Sequence, residues 1–306
     1  MAKEAVLVHD IKAPHPRLKY FDDMVDKVAK ESGGLTIAIN PGGKIIYPGK
    51  KSLDAVITKK VPLTLVNTAL LSSMDPRLGF VGLPFKISDE LMENPHNAEV
   101  LINLIQAYLE PPGLKILGIM RGADTIFIMK EKHISTVEDL RGMRIRVAAP
   151  GLYEEILKSL GADPIPLPSK EIDDAFKRGE LDGMSTSPGG WVLSGPIGNK
   201  GSLVPGLIFY TYSMIADKEW FESLPSKQQR VLEDAAKACI TDRWHDMKMD
   251  DTKVIKDLVD RNNGVVTYTM IPQSGLSPWK RKVEPVIEKF EKTFPDAVEN
   301  YNLLIK

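Results

Sequence analysis

Short apolar runs alternate along this chain with segments whose apolar positions recur every three or four residues. Residues 5–9 have the length and composition of a strand, and behind them Phe21, Val25 and Val28 keep helical spacing. Gly33-Gly34 ends that helix, because glycine accepts the left-handed conformation that closes a helix. A strand over 35–39, a short helix over 52–58 and a strand over 63–66 continue the alternation. A helix carrying Val100, Leu101, Leu104, Ile105 and Tyr108 stops at Pro111-Pro112-Gly113, and 116–120 follows as a strand. This alternation predicts α/β architecture with mainly parallel sheets.

A second set of units is more compact. Ser135-Thr136-Val137-Glu138 reads as a capping box opening a very short helix that Gly142 closes. Strands over 143–147, 164–167 and 181–184 alternate with helices over 153–160 and 169–178, capped by Gly161 and Gly179. The chain then changes character. A long strand is expected over 207–216, and after Leu224-Pro225-Ser226 an unbroken helical pattern runs to about Asn262. Gly264 ends it, 265–270 reads as a strand, and Ser277-Pro278 caps a last helix carrying Trp279, Val283, Ile287 and Phe290. A long strand and a longer helix after two complete sets of units are expected to span both. The expected division is therefore two hinged lobes, 1–123 plus 209–250 and 124–208 plus 251–306, with several crossings between them. No internal repeat or low-complexity segment interrupts this pattern.

Composition narrows the function. The chain has 306 residues, enough for two ordinary domains. Its 40 basic and 41 acidic side chains give a formal charge of -1, so the basic excess of a nucleic-acid footprint is missing. No apolar run approaches the roughly 20 residues of a membrane-spanning helix. Residues 5–8 are already strand-like, so an apolar export leader is either absent or already removed. The single cysteine, Cys239, sits in a helical pattern with no partner for a disulfide and no metal-ligand neighbour, and reads as a small buried residue. Low cysteine use fits the cytosol and the bacterial periplasm alike.

Candidate chemistry concentrates in a few places. In Met143-Arg144-Ile145-Arg146-Val147, strand alternation puts both arginines on one face. Arg146 is nearer the C-terminal end of its strand, where open α/β sheets bind ligands, and a helix N-terminus follows shortly after Gly151. Its guanidinium reads either as a two-bonded clamp for a carboxylate or as one half of a surface ion pair. Arg121, at the end of the 116–120 strand, is a weaker candidate of the same kind. Ser185-Thr186-Ser187-Pro188-Gly189-Gly190-Trp191 follows a strand with hydroxyls, two glycines and a flat apolar wall. It is either a ligand loop or a polar turn with Trp191 in the core, and it matches no phosphate-loop pattern. Of the five scattered histidines, His9 alone ends a first-lobe strand, facing either a cleft or the core. No GxSxG elbow, HExxH motif or metal-ligand spacing is present, so no cofactor or metal is expected and a binding role is favoured over catalysis.

Taken together, 137–147 (Val-Glu-Asp-Leu-Arg-Gly-Met-Arg-Ile-Arg-Val) resembles the EDLKGLKIRV segment of the substrate-binding proteins of TRAP (tripartite ATP-independent periplasmic) transporters, the DctP-type family. Leu83-Pro84-Phe85, Leu160-Gly161-Ala162-Asp163-Pro164, the Gly179…Leu181-Asp182-Gly183 step and Trp220-Phe221-Glu222-Ser223-Leu224-Pro225 keep that family's order along nearly the whole chain. The resemblance implies a periplasmic, hinged two-lobe binding protein with a long shared helix, probing for a small organic acid and delivering it to membrane permease subunits. It implies that Arg146 pairs with the ligand carboxylate, that Arg121 assists, that Thr186 contacts ligand and that Asn67 stands at a first-lobe cleft position. The sequence departs from the family in two places: the short TNxKPI connection is replaced by strand-like 124–129, and Ser185-Thr186 stands where Glu-Asn is common. A monomer without nucleic-acid partners is expected. A ligand-sensing module of the same fold, or an enzyme built on it, is the alternative.

Overall fold

The alternating pattern resolves into two separate β-sheets in a computed structural model, which describes residues 3–193 and 198–302. The first sheet contains β1 (Lys3–His9), β2 (Leu35–Ile39), β3 (Leu63–Asn67), β4 (Leu114–Asp124) and, from much later in the chain, the strand Phe209–Asp217. The second contains β5 (Ile126–Met129), β6 (Arg144–Val147), β7 (Asp163–Pro166), β8 (Gly183–Thr186), β9 (Lys200–Leu203) and the late strand Thr267–Met270. The two late strands are β10 and β11. The sheet orders are β2-β1-β3-β10-β4 and β11-β9-β5-β8-β6-β7.

Most neighbours are parallel, as the alternation with helices requires, and β10 and β5 are the antiparallel insertions. β3 lies between β1 and β10 and is buried along its whole length, and its one interior polar residue, Thr64, donates its hydroxyl to the Val8 carbonyl. Helix Leu18–Glu31 turns Tyr20, Phe21, Met24 and Val28 onto Leu7, Leu35 and Leu65. On the second sheet, Ile145 and Val147 of β6 meet Ile156, Leu157 and Trp279, while the opposite face of that sheet packs Ile126, Met184 and Phe176 against Trp191.

The two lobes are joined by crossings rather than by a linker. β4 runs directly into β5 through Thr125, whose N–H donates to the Ile208 carbonyl at 2.9 Å. The chain returns beside that point, from β9 into β10, and the Gly206 N–H donates to Asp124 Oδ1 at 2.8 Å. Burial raises the Asp124 carboxyl to a pKa of about 6. The helix Trp244–Arg261 makes a third crossing. Its first turn buries Trp244 and Met247 in the first lobe, and Ile255, Leu258 and Val259 pack on the second.

Three expectations need correction. The helical pattern 226–262 is not one helix: Ser226–Cys239 ends at Ile240 (φ -123, ψ -60), a short 3-10 turn Thr241–Arg243 follows, and a new helix starts at Trp244. Thr241 causes the break, because its buried hydroxyl accepts the Ile119 N–H of β4 at 3.2 Å. The periodicity survives the break and hides it. The C-terminal segment is also divided: Trp279, Val283 and Ile287 belong to the second-lobe core, but Phe290 and Ala297 pack with Leu101 and Ile105 of the first. Finally, the capping carboxylate near 136 is Asp139, which accepts the Ser135 and Thr136 N–H groups at 3.0 and 2.9 Å, one residue beyond the predicted Glu138. No described helix is long and apolar enough to cross a membrane.

Trp191 shows how tightly the second lobe is assembled. Its indole N–H donates to the Gly198 carbonyl at 3.0 Å, and the outer end of its six-membered ring packs on Gly201 of β9, where a Cβ would collide with the ring. Gly201→Ala should therefore cost about 1–3 kcal/mol of stability through overpacking, read as a shifted midpoint in denaturant unfolding.

Candidate functional site

A cavity of about 450 Å³ lies where the two sheets face each other. The chain just beyond the C-terminal ends of parallel strands supplies much of its wall: Asp10 after β1, Ala69 after β3, Ala148 after β6, Leu167 after β7 and Ser187 after β8. This is where open α/β sheets place ligands, because the chain leaves each strand there and no side chain of the next element fills the crevice. Tyr210 and Tyr212 of β10 line the cavity as well, so the strand that returns to the first lobe contributes to it.

Arg146 is the central charged group. It is only 5% exposed, yet its described partners are main-chain carbonyls: Nε donates to Leu167 O at 2.8 Å and Nη1 more weakly to Ser185 O at 3.4 Å. Neither bond uses Nη2. No carboxylate pairs with it among the described residues, and burial pushes its pKa down. Arg144, two positions earlier, is the structural member of the pair. It takes Asp182 through Nε at 3.0 Å and Nη2 at 2.7 Å, and its Nη1 reaches the Gly179 carbonyl. Two arginines on one strand face thus divide into a satisfied surface pair and a buried cation lacking an anion.

Thr186 and Asn67 also line the cavity. Asn67 uses its carbonyl oxygen to cap the following turn at Ala69 N, 3.0 Å away. Thr186 ends β8, and a Cβ on Gly190 would collide with its hydroxyl, so the glycine permits the tight turn beneath it. Behind Thr186, the hydroxyls of Ser185, Thr125 and Tyr210 form a closed cluster with separations of 2.8, 2.5 and 3.2 Å. That cluster fixes the Tyr210 ring at the cavity wall and ties the β4–β5 connection to β8 and β10.

Three other expected site residues lie outside the cavity. Arg121 turns away from it to clamp Asp89 through two bonds, Nε to Oδ1 at 2.5 Å and Nη2 to Oδ2 at 2.9 Å, and it also pairs with Asp251. Burial opposes its charge, but the hydrogen bonds and charges of Asp89 and Asp251 outweigh that and raise its pKa. Arg17 adds to this group through Asp251 at 2.7 Å and the Arg121 and Gly122 carbonyls. The result is a buried network joining β4, the start of the first helix and the crossing helix, in which Arg121 is held by two acids while Arg17 Nη1 and Asp251 Oδ1 are buried without a hydrogen-bond partner among the described residues. His9 is buried against Phe21, and its Nδ1 accepts the Ile11 N–H at 3.2 Å. Its main chain exchanges bonds with the Asn40 amide, and burial lowers its pKa to about 4. Trp191 belongs to the second-lobe core, as described above.

The cavity also contains residues that the sequence reading missed. Asp10 directly follows His9, and its Oδ2 accepts the Gly49 N–H at 3.0 Å. Gly49 has φ +55 and ψ -131, a conformation that favours glycine. Burial raises the Asp10 pKa. The strand-end rule that selected Arg146 would have found Asp10 had it been applied one residue beyond His9. His15 accepts the Arg17 N–H on Nδ1 at 3.1 Å, which leaves its proton on Nε2, and burial lowers its pKa to about 3. Nothing local in the sequence marks His15. Lys12, Lys50 and Lys51 stand at the rim. Among the described residues no cluster of His, Cys, Asp and Glu has the arrangement of a metal site.

Comparison with known proteins gives a consistent picture. The family model of bacterial extracellular solute-binding proteins, family 7, matches residues 7–293. YiiZ of Salmonella typhimurium is 28% identical over 225 residues, 69% of this chain and 65% of that protein. The ectoine-binding periplasmic protein TeaA of Halomonas elongata is 27% identical over 186 residues, 58% of this chain and 52% of TeaA. The matched stretches thus span about two thirds and about half of these relatives. A TRAP periplasmic solute-binding protein of Roseobacter denitrificans, solved with bound β-D-glucuronate, has the same fold at a TM-score of 0.86, with 20% identity and 99% of each chain covered.

The different environments of the arginines give a testable contrast. Arg121→Ala should cost roughly 3–5 kcal/mol of stability, because it leaves buried carboxylates underpaired. Ligand affinity of the folded protein should be nearly unchanged, as shown by denaturant unfolding beside a binding titration.

Proposed function

Because the chain belongs to family 7 of the bacterial extracellular solute-binding proteins, we propose that it captures a small organic acid between its lobes and hands it to the membrane subunits of a TRAP transporter. The observation that carries this reading is Arg146, a buried guanidinium in the cavity without a described carboxylate partner. Removing a cation from water is costly unless an anion compensates it, so the site is incomplete until an anion enters. A carboxylate matches the planar fork of the guanidinium through two parallel bonds. The glucuronate held by the Roseobacter protein and the ectoine named for TeaA are small solutes of comparable scale.

The other parts of the site fit capture better than turnover. Lys50 and Lys51 occupy the first turn of helix Lys50–Ile57, where the helix dipole disfavours cations. At the cavity rim they add to the positive potential that draws an anion inward. Thr186 and Asn67 provide polar contacts, and Tyr210 and Tyr212 provide flat apolar walls. None of these forms a nucleophile–base pair, and we read the protein as a binder acting as a monomer in the periplasm. The lobes are proposed to close about the crossings at Thr125 and 204–208, with the ligand selecting the closed state by touching both. His15, which lines the cavity, touches Gly189 of the opposite lobe, where a Cβ would strike the imidazole.

Two substitutions test this reading by titration against a panel of organic acids. Arg146→Ala should weaken the best acid by about 2–5 kcal/mol, and equal binding by both proteins would remove the anchor. Gly189→Ala should weaken every acid in the panel by a similar factor, since it forces apart a contact between the lobes rather than removing a group that recognises the acid.

A further inference from the structure

Two opposite charges share the cavity without forming an ion pair with each other. The Arg146 guanidinium is held by the Leu167 and Ser185 carbonyls, and the Asp10 carboxylate is held by the Gly49 N–H. Both side chains line the same space, and no ion pair joins Asp10 to any cation among the described residues. Direct pairing would be the least costly way to bury both groups, and the fold holds them apart with separate main-chain partners. A molecule that bridges them must present an anion at one point and a hydrogen-bond donor at another. Asp10, when ionised, only accepts hydrogen bonds, and it has lone pairs beyond the one given to Gly49.

We propose that Asp10 is the specificity-determining residue of this cavity, selecting carboxylates that also carry a hydrogen-bond donor, a hydroxyl or an ammonium, over acids that lack one. The inference rests on the reading of Arg146 as the carboxylate anchor. An acid with a purely apolar body leaves the Asp10 carboxylate desolvated and unpaired when the lobes close, which penalises the complex rather than merely omitting a contact. A second carboxylate placed at Asp10 meets like charge and is rejected. Burial raises the Asp10 pKa, and the Gly49 N–H and the more distant Arg146 charge only partly offset it. The tyrosines beside it leave room for an apolar portion of the ligand, so the selection concerns the donor and not overall polarity.

The test uses matched triplets on one carbon skeleton: butyrate with its hydroxy and amino derivatives at each carbon, and 3-phenylpropionate with phenyllactate and phenylalanine. Each is titrated calorimetrically into the full chain as wild type, Asp10→Ala, Asp10→Asn and Arg146→Ala. Wild type should prefer a donor-bearing member over its donor-free parent by about ten- to a hundredfold. Asp10→Ala should shrink that preference to near unity, while binding the donor-free parent at least as well as wild type does. Asp10→Asn separates the two donors. Its amide oxygen still accepts from a hydroxyl, so a hydroxy acid keeps most of its advantage, whereas an ammonium loses its charge partner and its preference. A preference that persists unchanged in Asp10→Ala, or a wild type that does not distinguish the members of any triplet, overturns the proposal while the Arg146→Ala loss stands. Failure of wild type to bind any member, or equal binding by Arg146→Ala, overturns the anchor reading and this inference with it.

Discussion

The candidate site depends on a buried guanidinium that no described carboxylate neutralises. Arg146 has the main-chain carbonyls of Leu167 and Ser185 to orient it and no described acid to compensate it. Burying such a charge costs stability, and under the proposed function an incoming anion is what compensates it. Arg144 shows the alternative on the same strand. Two residues away, with Asp182 in reach, an arginine becomes an ordinary partly exposed ion pair. What separates the two is position along β6: Arg146 lies closer to the strand end that opens into the crevice between the sheets.

The rest of the structure keeps that crevice in place. The chain passes between lobes at Thr125 and again between β9 and β10, and the helix Trp244–Arg261 lies across both cores. Where these meet, Arg17, Arg121, Asp89 and Asp251 form a buried network in which the cations share their acids. Breaking such a network is expensive, whereas its net contribution over apolar packing is small, so its value lies in fixing geometry. The network and Arg146 are thus opposite uses of the same side chain. Arg17 and Arg121 are paired with protein carboxylates where the crossings meet, whereas Arg146 has only main-chain carbonyls among its described partners, which is the basis for proposing it as the ligand anchor.

Much of this was legible in the sequence, for physical reasons that also explain the misses. Strand and helix periods placed most strands and the longer helices, because burial on one face enforces them, whereas β9 and the short helical turns between 68 and 92 are too brief to show a period. The same periodicity concealed the break at Ile240, since Thr241 interrupts the helix through a hydrogen bond to β4 that no local pattern encodes. Strand-end position together with family resemblance pointed to Arg146, which the fold places, buried, in the cavity wall. Arg121 satisfied the same rule and was misleading, because its fate depends on Asp89 and Asp251, which lie 32 and 130 residues away in the chain. His9 and Trp191 sit at plausible places in the chain, but the fold turns both inward, where Asn40 and the Gly198 carbonyl satisfy their polar atoms. Asp10, the residue after His9, was within reach of the rule and was passed over. His15 was not, because its place in the cavity is set by packing against Gly189 of the other lobe.

The central claim is that Arg146 awaits a carboxylate, and a crystal structure of the protein with its best-binding acid tests it most directly. The account predicts a carboxylate seated on the Arg146 fork through two parallel bonds of roughly 2.7–2.9 Å, with the Leu167 and Ser185 contacts retained behind it. A bound acid whose carboxylate lies elsewhere, with Arg146 turned onto a protein acid, would contradict it.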